Sequence, residues 1–176
     1  MQSGVVAMFK PLIDSCPSSI PVDYDENAAA YRTLVAVAEC DVTQRGLFVG
    51  CELALATNNR ARPSSEWFHE FSFSIIIQSH DGADLPFVTQ DRERARPYIP
   101  TEQLDLIMPI VLGSLAALLR RVQPMMIFRV TKKPVIVRKA MIKHDLVTGF
   151  LFENGYSVLE SGSDAFGRPF WLMAKE

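Results

Sequence analysis

The chain has 176 residues, 48 % of them apolar and 22 % charged, with a formal net charge of −2. A chain of this size buries enough surface to hold a core without staples, and its moderate charge argues against a disordered polyelectrolyte or a dedicated DNA binder. Its three cysteines, Cys16, Cys40 and Cys51, are odd in number and widely spaced, which argues against a disulfide framework or a zinc site and for reduced thiols in a cytoplasmic protein. One domain is expected over residues 1–176, with residues 1–24 as an extended N-terminal arm.

In chain order, GVVAMFK at residues 4–10 reads as a short strand and DSCPSSIPVD at 14–23 as a loop. Residues 25–39 read as a helix with Tyr31, Leu34, Val35 and Ala38 on one face. In LFVGCELALA the odd positions Leu47, Val49, Cys51, Leu53 and Leu55 are all apolar, which predicts a strand with one buried face. EWFHEFSFSIIIQ alternates more clearly: Trp67, His69, Phe71, Phe73, Ile75 and Ile77 fall on one side, and Glu70, Ser72, Ser74 and Gln78 mainly on the other. SHDGAD predicts a turn, followed by a short strand LPFVTQ.

The segment DRERARPYIP is charged and broken by proline. A helix is expected from Thr101, as N-cap, to about Val122, with Pro109 kinking or splitting it. Its apolar run Leu106–Leu119 is shorter than the roughly 20 residues of a membrane span, which predicts a buried core helix. MMIFRVT then reads as a central strand. Residues 136–153 read as a helix with Met141, Ile142, Leu146, Phe150 and Leu151 toward the core, stopped at Asn154-Gly155. Residues 156–160 and 168–174 predict a closing hairpin, with Pro169 near a strand start. The class that follows is α+β, with a single mixed, mostly antiparallel sheet and helices on its faces.

Charge is segregated along the chain. Leu106–His144 contains no Asp or Glu, yet its 39 positions hold 8 of the 18 basic residues. Among them Arg129, Lys132, Lys133, Arg138, Lys139 and Lys143 are candidates for one basic surface at a strand end and a helix start. Such a surface attracts an acidic protein or another polyanion. Aromatic residues are not interleaved with these cations, so a base-stacking surface is not favoured. The structural alternative is a solvated face neutralised by Asp14, Asp23, Asp25 and Glu26.

Other groupings are weaker. His69 and Glu70 are neighbours on one strand; either offers a general base, but they point to opposite faces and cannot easily act together. Ser79, His80 and Asp81 are consecutive in a turn and lack triad geometry. No His, Asp or Glu pair stands at metal-ligand spacing, and no metal is expected. Asp164 and Arg168 could pair across the closing hairpin. The terminal aromatic strand and the strand at 66–78 are possible homodimer contacts.

The element order, together with Gly155-Tyr156, the apolar Ser157–Glu160, the polar loop 161–167 and Phe170–Met173, resembles the GNAT acyltransferase superfamily. The order covers most of the chain, the sequence likeness only its last third. The resemblance implies an acyl-CoA-dependent N-acyltransferase using acetyl-CoA, with Arg92, Arg94 and Arg96 supplying charge to the pyrophosphate. The matching segment TQDRERARPYIPTEQ holds no glycine, and Phe150–Glu153 holds no tyrosine where the family often places its acid. The reading that needs no catalytic set is a non-catalytic binding or regulatory protein on a GNAT-like scaffold.

Overall fold

The computed structural model describes residues 8–56, 68–131, 134 and 138–176. The strands are β1 (Lys10–Pro11), β2 (Asp23–Asp25), β3 (Ala30–Cys40), β4 (Arg45–Ala56), β5 (Phe68–Ser79), β6 (Phe87–Thr89), β7 (Met126–Val130), β8 (Tyr156–Ser163) and β9 (Pro169–Lys175). The helices are α1 (Arg92–Ala95), α2 (Ile107–Val122) and α3 (Arg138–Glu153). All 9 strands form one mixed sheet in the order β1-β3-β4-β5-β7-β9-β8, with β2 on β3 and β6 on β5. The β5–β7 pair is parallel, whereas β1–β3, β2–β3, β5–β6, β7–β9 and β8–β9 are antiparallel. The α+β class with a mixed sheet and helices therefore holds.

One expectation is overturned outright. Residues 30–39, read as part of a helix, belong to β3. Thr33, Val35 and Val37 are buried at every second position, while Leu34, assigned to the helix core, is 47 % exposed. The β-branched residues of YRTLVAV fit a pleated surface better than a helix, and a short apolar run satisfies both periods.

Cα proximity divides the chain into two units. The first comprises Met1–Pro21, Thr33–Cys51 and Phe73–Ser114. Its core draws on Leu47, Val49 and Cys51, as the alternation predicted, with Ile75, Ile77, Ile110 and Val111. Gln103 is 2 % exposed, and its amide donates to the carbonyls of Ile13 and Val37 at 2.7 and 2.6 Å. Residues 8–21 are thereby fastened to β3, as they also are by the β1 ladder. Burial pushes the Cys51 thiol up to about 12, so it stays protonated. The expected turn forms at 79–84, where Gly82 has φ +68° and the Asp81 carboxylate accepts from the Ala83 amide.

Thr101 does not cap α2. A 3-10 segment at Thr101–Leu106 leads into the α-helix, and Pro109 falls in the first α-helical turn. Its missing N–H has little to interrupt there, so the helix runs on to Val122. Thr101–Val122 is 22 residues long and apolar enough to cross a membrane by length and composition. Ile110, Val111, Leu115 and Leu118 are fully buried within the protein, which marks it as a core helix.

The second unit comprises Val22–Arg32, Glu52–Ser72 and Leu115–Glu176. Gly155 ends α3 with φ +82°, the left-handed conformation glycine adopts cheaply. Pro169 opens β9, where no ladder donor is lost. The Tyr156 hydroxyl donates to the Pro124 carbonyl at 2.6 Å and fixes the start of β8. The core face of α3 agrees with expectation at Leu151 and differs elsewhere. Val147 and Leu151 are fully buried, while Ile142 and Leu146 are 57 % and 45 % exposed.

Candidate functional site

The structure removes one member, Arg129, from the expected basic surface. Arg129 lies in β7 and is only 3 % exposed. It alternates with buried Ile127, so its side chain points to the same side, under α3. Lys132 and Lys133 lie outside the described residues. Arg138 and Lys139 open α3, and Lys143 follows one turn later, half-buried. Arg129 is therefore corrected from a surface contact to a core residue.

Its surroundings are polar and aromatic. The Arg129 guanidinium donates to Thr148 Oγ1 at 2.7 Å and to the His144 carbonyl at 3.2 Å, and lies 3.1 Å from His144 Nδ1. It stands 5.3 Å from the Trp171 ring centre, and the His144 ring stacks on Trp171 at 5.4 Å. Nδ1 can accept from Arg129 only when the imidazole is neutral. Burial, then the charges of Arg129 and Lys143, lower His144 to about 4, against a smaller opposing effect from Asp145. Burial likewise lowers Arg129 to about 10. This cluster locks α3 to the sheet through hydrogen bonds rather than through an ion pair.

The opposite face of the same strands carries a different set. Arg32 is paired with both Asp25 and Glu52. Glu70 and Phe128 are register partners across β5 and β7, so their side chains share a face. The Phe128 ring lies 5.4 Å from Phe68 and 5.8 Å from Phe170, a row of three rings across β5, β7 and β9. Arg168 is held by Asp164 through Nε at 2.8 Å and Nη2 at 2.7 Å, as the hairpin pairing anticipated. Glu70 is half-buried, and burial raises its carboxyl; Arg168 opposes the rise and Glu52 adds to it. His69, the neighbouring residue on the strand, faces the other side, and burial lowers its pKa. Sequence reading placed Glu70 on the side of the strand opposite its apolar positions. Its alternation with Phe68 on a strand of aromatic residues was the available signal of a less hydrated setting.

The segment expected to meet a pyrophosphate does not fit one. The α1 helix has four residues, and the Asp91 carboxylate already accepts from the Glu93 amide at its N-terminus. An anion there would meet that carboxylate, and Pro97 and Pro100 offer no N–H. Arg92, Arg94 and Arg96 are exposed, and Arg94 lies over the Phe87 ring at 5.3 Å. Among the described residues no three His, Cys, Asp or Glu side chains are grouped to hold a metal. β5 and β9 are both interior strands with neighbours on either side, so neither offers a free edge to a second copy. No family model, curated protein or solved structure matches the chain.

Proposed function

We propose that the protein is a non-catalytic binding or regulatory protein that contacts an acidic protein or another polyanion through Lys132, Lys133, Arg138, Lys139 and Lys143. One observation carries this reading: α3 begins on Arg138 and Lys139 with no acid in its first turn. Cations at a helix N-terminus oppose the helix dipole, at a cost of about 0.3–1 kcal/mol each. A bound polyanion removes that cost and makes the arrangement favourable. Arg120 and Arg121 close α2, where their charge complements the dipole and needs no partner.

The test reverses Lys132, Lys133, Arg138 and Lys139 to glutamate and compares retention on immobilised heparin and on a polyglutamate matrix. A control variant reverses Arg92, Arg94 and Arg96. The reading requires the first variant to lose retention at a salt concentration where the control still binds. Equal losses would mean that bulk charge alone is responsible, and the reading would fail.

A second reading, an acyl-CoA-dependent N-acyltransferase, draws on the chain order β3, β4, β5, α2, β7, α3, β8, β9. It needs Arg92, Arg94 and Arg96 to replace the backbone cradle that the segment lacks. Thermal unfolding with excess acetyl-CoA discriminates, since a specific ligand raises the midpoint by mass action.

A further inference from the structure

The core of the first unit takes one face of its strands and leaves the other open. Leu47, Val49, Cys51, Ile75 and Ile77 are buried at odd positions, and the even positions point the other way. The Leu55 amide donates to the Ala29 carbonyl at 3.1 Å, and Arg32 pairs with Glu52. β3 and β4 therefore run antiparallel, with Leu34 opposite Gly50 and Ala36 opposite Phe48. A Cβ on Gly50 would stand 2.7 Å from Ile76 Cδ1, so the Ile76 side chain lies across that glycine. Ile76 is in turn the register partner of Val88 in β6. An apolar row thus crosses four strands, from Leu34 and Ala36 through Phe48 and Ile76 to Val88. Its ends are exposed, Leu34 at 47 % and Val88 at 51 %, and Ala36, Phe48 and Ile76 between them are half-buried.

Charge narrows what covers this face. No even-numbered position in 34–40, 46–50 or 74–78 is charged, and neither is Val88. At the strand ends Arg45 pairs with Asp84, and Arg32 with Asp25 and Glu52, so these cations are already answered within the chain. A membrane surface is normally met through a fringe of lysine and arginine beside the apolar area, which strand ends with paired cations do not provide. A charged partner finds no counter-charge. A second copy brings the same neutral apolar row. Small Ala36 and Gly50 beside bulky Phe48 and Ile76 give the relief by which two such rows interlock. Docking by a face also needs no free edge.

We propose that the face of Leu34, Phe48, Ile76 and Val88 is an isologous homodimer contact, sheet against sheet. Four strands about 4.8 Å apart and roughly 20 Å long present roughly 400 Å² per copy. A standard interface uses about 800 Å² per partner, so the dimer is weak and forms with rising concentration. The contact is separate from the basic segment assigned above, and neither reading depends on the other.

The test is sedimentation velocity of the full chain from about 10 µM to about 1 mM. Leu34→Lys and Val88→Lys bring like charges together across a two-fold contact, at positions already exposed in one copy. Val42→Lys, at an exposed apolar residue in the turn between β3 and β4, is the control. The unaltered chain and the control are expected to gain mass toward a dimer, while each lysine variant on the row weakens association by at least about tenfold. A monomer throughout, unchanged association in both row variants, or an equal loss in Val42→Lys would each overturn the proposal. Vesicle binding by a chain that stays monomeric would overturn it too. If the row variants fail to fold, methyl shifts of the unaltered protein decide. Dilution must move Ile76 and leave buried Val49 in place; no movement, or equal movement of both, overturns the contact.

Discussion

The two faces of the β5–β7–β9 segment treat charge in opposite ways. Under α3, Arg129 is deeply buried yet clothed by Thr148, His144 and Trp171. On the other face, Glu70 is only half-buried and has no such clothing among the described residues. A buried charge with its donors met is an element of stability, because removing it leaves acceptors stranded. A half-buried carboxylate that meets only the charge of a neighbouring arginine, with no hydrogen bond to the described residues, adds little to the fold. The same strands thus carry one charge that holds the fold and one that the fold merely tolerates.

Three variants would break or sharpen this contrast. The largest effect is expected from Arg129→Ala, which strands Thr148 and His144 and opens space beside Trp171. A loss of about 3 kcal/mol in urea unfolding is expected, with Arg129→Met milder because it keeps the volume. A loss within error would mean that the cluster does not hold α3.

Acid should act next, through His144. Its folded pKa of about 4 lies below the unfolded value near 6.5, so the unfolded chain binds the proton first. The contribution is full above about pH 6.5 and is lost as pH falls toward 4. Discounted for partial exposure, that loss is about 1–2 kcal/mol. His144→Asn should lose the dependence in this window. A pH profile identical to that of the unaltered protein would remove His144 from the account.

The smallest effect has the opposite sign. Burial raises the Glu70 carboxyl, so its ionisation disfavours the fold as pH climbs, and Glu70→Gln should slightly stabilise the protein at neutral pH. Calorimetry at neutral and mildly acidic pH would read it, with the gain shrinking in acid. A destabilised Glu70→Gln would show that the carboxylate has a structural partner after all.

How much of this was legible in sequence depends on what each residue reports locally. The alternation of LFVGCELALA identified the buried side of β4 because every odd position is apolar. Gly155 and Pro169 marked boundaries because their backbone constraints are local. β3 was misread because YRTLVAV satisfies two periods, and only pairing with β1 and β2 decides between them. The α3 face was misread for a related reason: apolar residues lie on more than one side of that helix, so the sequence does not say which side meets the sheet. Arg129 was counted with the basic run because a charge count has no direction. Its separation from Ile127 by two positions on a strand did carry that direction. The setting of Glu70 was not legible, because it depends on where Arg168 and Glu52 stand in the folded sheet.

The placement of β9 between β7 and β8 also constrains the order in which the chain can assemble. During synthesis β7 emerges well before the strand that completes its edge. α3 can cover one face in the meantime, but the hydrogen-bonding edge of β7 stays bare until β8 and β9 arrive and insert as a hairpin. Such a delay leaves a nascent strand open to pairing with neighbouring chains. Holding that edge during translation is therefore the step at which this fold would most benefit from a chaperone.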